Sequence, residues 1–256
     1  MQGQLCDDRQ VVRIGGADRL EFLQGLITND VTRLERGLVY AAILTPQGKY
    51  LADFFLAARG DVVLLDVKTE LAAALVQRLS MYKLRADVTI EAVDMPVWRG
   101  LGRARDGGLD DPRDPSLGWR YYGTLHAQPT VIDWDALRVA ACVPESGIEL
   151  TGDTFILEAG FERLNGVDFR KGCYVGQEVT ARMKHKTELR KGLALVEIDG
   201  FAPVGTGIIA DGKAVGTLFT QSGGRGIAYL RFDRARGAMS AADARLHLNR
   251  EASAGQ

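Results

Sequence analysis

The chain has 256 residues, of which 46% are hydrophobic and 25% charged, with a net charge of −1. That composition excludes a disordered chain, and near-neutrality excludes a general pull towards nucleic acid or anionic lipid. No apolar run reaches the ~18 residues of a membrane span. Cys6, Cys142 and Cys173 are far apart in sequence and odd in number. This argues against a disulfide framework or zinc site, and with the polar, acidic N-terminus it leads to the expectation of a cytoplasmic protein without membrane association.

Val11–Ile14 reads as a strand. Asp18 with Glu21 three residues on predicts a capped helix, with Leu20, Leu23 and Ile27 on one face. Residues 39–44 and 50–57 read as strands around Pro46-Gln47-Gly48, a hairpin signal, and Val62–Val67 as another. Thr69 predicts the cap of a helix carrying Leu71, Leu75, Val76 and Leu79. Val88, Ile90 and Ala92 alternate with polar residues, the mark of a strand with one wet face.

Residues 99–118, rich in Gly and Pro, predict a subdomain joint. Asp133 predicts a third helix cap, before Trp134, Leu137, Ala140 and Ala141. After residue 190 short apolar runs alternate with glycines, and Asp211-Gly212 is a type I′ hairpin signal. The expected organisation is residues 1–190 as one α+β region and 191–256 as a small antiparallel β-barrel, with a frayed end at Glu251–Gln256.

The chemistry concentrates in Lys171-Gly172-Cys173-Tyr174-Val175-Gly176-Gln177-Glu178, which follows neither the period of a strand nor that of a helix. Arg170–Lys191 holds seven basic residues against Glu178 and Glu188, a net +5 in a chain whose remainder carries −6. Such a field can favour the Cys173 thiolate or hold an anionic ligand; the plainer alternative is a solvated basic face. In an extended chain Lys171 and Cys173 would share a face. Gly100-Leu101-Gly102 lacks the third glycine of a dinucleotide fingerprint, no GxSxG elbow is present, and the three histidines have no metal-ligand spacing.

These residues together resemble the YgfZ/GcvT family of folate-binding proteins, specifically its YgfZ branch. Lys171-Gly172-Cys173-Tyr174 with Gly176-Gln177-Glu178 and Ala181-Arg182 carries the likeness. Phe22-Leu23-Gln24-Gly25, Thr28-Asn29-Asp30-Val31, Leu44–Lys49, Tyr82-Lys83-Leu84-Arg85, Asp111-Pro112-Arg113 and Phe155-Ile156-Leu157-Glu158 support it.

The resemblance implies two related α+β halves around a central cavity, followed by a small β-barrel. It implies a tetrahydrofolate-type ligand and a role in assembly or repair of iron–sulfur clusters in client enzymes, tRNA-modifying ones included. Cys173, with Lys171 and Tyr174, is the expected working group. Asn29, Asp30, Glu158, Gln177, Glu178 and Arg182 are the expected folate contacts. One cysteine cannot enclose a cluster with four ligands, so no permanent metal is expected. The implied partners are folate and iron–sulfur client proteins or assembly factors, without direct nucleic-acid binding. A non-enzymatic maturation factor is favoured. The alternative is a tetrahydrofolate-dependent aminomethyltransferase like the glycine-cleavage T-protein, with Arg138-Val139-Ala140 roughly where that enzyme's signature would lie. Arg9 stands where better-known members often carry tryptophan.

Overall fold

A computed structural model describes residues 2–104, 106–126, 128–185 and 189–248. Two compact units result, Met1–Ile132 with Leu164–Glu178 and Asp133–Arg163 with Val179–Gln256.

The first unit opens with β1 (Gln2–Cys6) and β2 (Arg9–Gly15), then α1 (Arg19–Gln24) and a 3-10 turn at Val31–Glu35. β3 (Val39–Leu44), β4 (Tyr50–Arg59), β5 (Val62–Lys68), α2 (Thr69–Lys83) and β6 (Thr89–Val93) follow. β7 (Val97–Gly100), β8 (Leu109–Asp110), β9 (Trp119–Tyr122) and β10 (Gln128–Pro129) complete it. β3-β4-β5-β2-β6 form one five-stranded sheet and β10-β1-β7-β9-β8 another. Residues from the first sheet, α1 and the inner face of α2, including Val12, Leu23, Ile43, Phe54, Leu65, Leu75 and Leu79, form a continuous apolar core.

Two helix starts differ from expectation. Asp18 sits before α1 but makes no side-chain cap; its carboxylate accepts instead from Asp87 N–H at 2.8 Å. Long-range turn pairing has taken the group that local sequence assigns to capping. α2 begins at Thr69 itself, after an uncapped Lys68. α1 also ends at Gln24, so Ile27 is buried by a bridge to Ile43 rather than by a helical face, and Leu20 is left exposed.

The second unit contains α3 (Trp134–Ala140), whose start Asp133 caps by accepting from Ala136 N–H at 2.9 Å. Helix α4 (Gln177–Lys184) begins in the first unit and ends in the second. β11 (Lys191–Asp199), β12 (Thr206–Ala210), β13 (Lys213–Ser222), β14 (Arg225–Arg231), β15 (Met239–Ala241) and β16 (Ala244–Leu248) close into an antiparallel barrel. Asp211 and Gly212, both at positive φ (48° and 71°), make the expected tight turn between β12 and β13. The barrel holds its own core, with Val196, Ile208, Leu218, Leu230 and Leu246 fully buried. Glu251–Gln256, expected to fray, lie outside the described residues.

Among the described residues, no helix is long and apolar enough to cross a membrane.

Candidate functional site

The Cys173 loop is built on the segment Thr28-Asn29-Asp30. Thr28 donates its hydroxyl to Gly166 O at 2.6 Å and accepts from Ala42 N–H at 2.9 Å, tying the loop to β3. Its carbonyl accepts from Asp168 N–H at 3.0 Å. The buried Asn29 amide donates to Tyr40 O at 2.8 Å and to Asn165 O at 2.7 Å, and its Oδ1 accepts from Asp30 N–H at 2.8 Å. Asn29 thus directs both amide N–H donors and one lone pair of Oδ1 to the protein itself. Asp30 caps the 3-10 turn, accepting from Thr32 N–H at 3.0 Å and from the Gln24 side chain at 3.2 Å. Arg33 pairs with Asp168 at 2.5 Å and holds the loop from its outer side.

Lys171 turns inward. Its ammonium donates to Gln24 O at 2.5 Å and Ile27 O at 2.6 Å, carbonyls at and just beyond the C-terminal end of α1. It also lies 4.8 Å from the centre of the buried Tyr174 ring. A cation suits that place, because helix C-termini leave unpaired carbonyls and partial negative charge. Burial lowers the Lys171 pKa to about 8, against the opposing pull of Asp30 and Asp168. Gly176 completes the fixture: at φ 84°, a side chain there would place its Cβ 2.6 Å from Thr45 O.

Gly172 and Cys173 are left exposed between these anchors. The shared face expected for Lys171 and Cys173 is therefore not observed: one residue is buried, the other is out. The loop is not extended here, so the alternation of a strand does not apply. The other two cysteines are buried, and burial raises both thiols, that of Cys142 to about 11. Among the three, Cys173 alone offers an accessible sulfur.

The expected folate contacts divide between the units. Asn29, Asp30, Gln177 and Glu178 belong to the first; Glu158 and Arg182 belong to the second. Gln177 is half-buried at the start of α4, whereas Glu178 and Arg182 are exposed along it. Glu158 is buried, accepts from Tyr229 OH at 2.7 Å and lies 3.7 Å from Lys191 Nζ. A cavity of about 450 Å³ opens beside it, lined by Glu158, Met183, Leu189, Arg190, Lys191 and Arg231. Part of the +5 segment thus faces this cavity, while Lys186 and Glu188 lie outside the described residues. Among the described residues no cluster of His, Cys, Asp and Glu could hold a metal ion.

A buried charge network went unread in the sequence. Asp66 on β5 accepts from Arg9 Nε at 2.6 Å, from Arg120 at 3.0 Å and from Tyr122 OH at 3.1 Å. Asp111 takes a two-pronged contact from Arg113, at 3.0 and 2.8 Å. Burial alone would raise the Asp111 carboxyl, but the Arg113 and Arg120 guanidiniums hold it below the usual range. Arg9, Arg113 and Arg120 surround the Phe55 ring at 5.8, 4.7 and 3.9 Å from its centre. Nearby, Asp53 accepts from Tyr40 OH at 3.0 Å and Tyr50 OH at 2.7 Å. Asp66 and Asp53 interrupt otherwise apolar strands, a signal that could have betrayed the network, since buried carboxylates require partners.

Residues 190–256 match the family described as CAF17, C-terminal beta-barrel domain. Over 90% of this chain and 78% of the relative, the sequence is 32% identical to the mitochondrial iron–sulfur cluster assembly factor IBA57 of Mus musculus. The chain belongs to the IBA57 family. The Homo sapiens protein is 31% identical with the same coverage. The IBA57 homolog of Mycosarcoma maydis is 32% identical over 72% of this chain and 54% of its own length. The structure is also similar to the glycine cleavage system aminomethyltransferase T from Bartonella henselae, with a TM-score of 0.77 over 96% of this chain and 83% of that one. At 12% identity that likeness shows the fold alone.

Two expectations are thereby corrected. The branch is IBA57, not YgfZ: a short motif marks the wider superfamily, whereas the branch is decided over the whole chain. The cytoplasmic expectation is overturned by relatives whose names place them in mitochondria. Unpaired cysteines speak to reducing chemistry and do not single out one compartment.

Proposed function

We propose that this IBA57-family chain assists iron–sulfur cluster assembly, with Cys173 as the thiol that meets the cluster or the protein carrying it. The supporting observation is the loop itself: Lys171, Tyr174 and Gly176 are anchored while Cys173 stands exposed between them. A single thiolate can supply one of the four ligands such clusters normally need, so Cys173 would share the cluster, as cargo, with ligands from a partner. Client enzymes, tRNA-modifying ones among them, would receive it.

A tetrahydrofolate-type ligand fits the cavity beside Glu158 in size and in donor set. The Glu158 carboxylate can accept from ring N–H groups, and Arg190, Lys191 and Arg231 can meet an anionic tail. The bound folate would supply one-carbon or redox chemistry; the protein's part is to orient it. The aminomethyltransferase alternative gains nothing from Arg138, which is buried and bonded to Glu149 and Thr220.

The test is complementation of a strain lacking this chain, reading the activity of iron–sulfur enzymes. Cys173→Ser should fail to restore it although the variant folds and accumulates normally. Full restoration by Cys173→Ser would exclude the thiol role.

A further inference from the structure

α2 ends on a leucine in a conformation that leucine rarely takes. Leu84 has φ 44° and ψ −106°, and Ala86 N–H donates to Lys83 O at 2.8 Å. This closes a type II′ turn whose second position ordinarily holds glycine. Core packing does not demand the leucine: Leu84 is 89% exposed. Met81, one turn earlier on the outer face of α2, is 59% exposed, while Ala72, Leu75 and Leu79 fill the core from the inner face. An apolar side chain held in solvent by a strained backbone is unfavourable on both counts, and strain of this kind concentrates where something binds.

Charge surrounds the tip. Arg78 lies one turn before Met81, Lys83 precedes Leu84 and Arg85 follows it. Among the described residues none of these three side chains has an ion pair or a hydrogen bond. Asp87, the next carboxylate along the chain, is turned towards Ala17 N–H at 3.3 Å.

The turn also has an address. Asp18 N–H donates to Asp87 O at 3.1 Å, and the Asp18 carboxylate accepts from Asp87 N–H at 2.8 Å, fastening the turn to the start of α1. The other end of α1 carries Gln24 O, which accepts from Lys171. With six residues, α1 is about 9 Å long. The Leu84 turn and the Cys173 loop are thus fixed to opposite ends of one short helix.

We infer that Met81 and Leu84, ringed by Arg78, Lys83 and Arg85, form a docking knob for the iron–sulfur protein that meets Cys173, and that this partner offers an apolar socket rimmed by carboxylates. The inference rests on the proposed role of Cys173 and adds the surface that brings the partner there. A protein is favoured over a bilayer for a physical reason. A socket requires one fixed backbone conformation, whereas insertion among lipid chains does not.

The test places a photo-crosslinking residue at Met81 of the full chain in cells, with the joined peptide identified by mass spectrometry. The expected product is an iron–sulfur protein linked through a peptide bearing carboxylates. Joint replacement Arg78→Glu and Arg85→Glu should lower the yield about tenfold through like-charge repulsion. Leu84→Gly separates docking from folding, because glycine suits the turn: Tm should rise by about 2–5 °C while cross-linking falls about fivefold. Cross-links to lipid, to a second copy or to a protein without a cluster would overturn the inference, as would a yield indifferent to the charge reversals. If Cys173→Ser fails to complement but Leu84→Gly complements fully, the knob is refuted and the proposed function stands. If Cys173→Ser complements and the cross-link persists, the thiol role falls and the docking surface stands.

Discussion

The buried charge network makes a sharp energetic prediction at Asp66. Asp66→Asn keeps the shape of the side chain and opens no appreciable cavity. It removes the charge that faces Arg9 and Arg120 in a site where the Asp66 side chain is fully buried. The new amide also presents N–H donors to groups that can only donate. Breaking a buried pair in this way costs about 3–5 kcal/mol, because the remaining cations stay desolvated. For a chain of this size each kcal/mol is worth about 2–4 °C, so Tm should fall by about 6–20 °C.

Urea titration followed by tryptophan fluorescence reads the loss, since Trp119 is buried on β9 beside Arg120. Arg120→Met in the Asp66→Asn background should cost less than the two single losses together, by about 1 kcal/mol or more, because it removes one orphaned cation. A loss below about 1 kcal/mol for Asp66→Asn alone would show that the guanidiniums are satisfied without it.

Two further outcomes follow from other buried groups. Lys171 has a folded-state pKa of about 8, below its ordinary value of 10.5, so the folded protein gives up this proton first. The unfolded chain then binds more protons between those values, and the contribution of Lys171 to stability rises with pH across that window. Wild type should gain stability relative to Lys171→Met between pH 8 and 10.5; parallel pH curves would refute the assignment. Glu149 accepts from Arg138 at 3.0 Å, Glu145 N–H at 2.9 Å and Thr220 OH at 2.7 Å, tying α3 to β13. Glu149→Gln should speed hydrogen exchange at Val143, Gly147 and Leu150 while the barrel stays protected. Uniform exchange across the second unit would contradict this.

Much of the fold was legible because its signals are local. The hairpin at residues 39–57, the Asp133 cap and the Asp211-Gly212 turn depend on residues within a few positions of one another, and each appears as expected. Asp18 shows where that reasoning stops. Its sequence context supports a cap, yet Asp87, distant in sequence, takes its carboxylate.

The Cys173 motif divides in the same way. Its irregular pattern, its glycines and its charge are properties of the sequence alone, and they single it out as a candidate. The sequence alone also carried the α+β class and the barrel at the end. Only the tertiary structure decided that Lys171 is an anchor buried against α1 while Cys173 is the group left outside. It likewise decided that Arg9, Asp66, Arg113 and Arg120 meet around Phe55. The physical reason is range. Turns and caps are closed by neighbouring atoms, whereas burial of a charge is settled by partners from other strands, which the order of residues does not name.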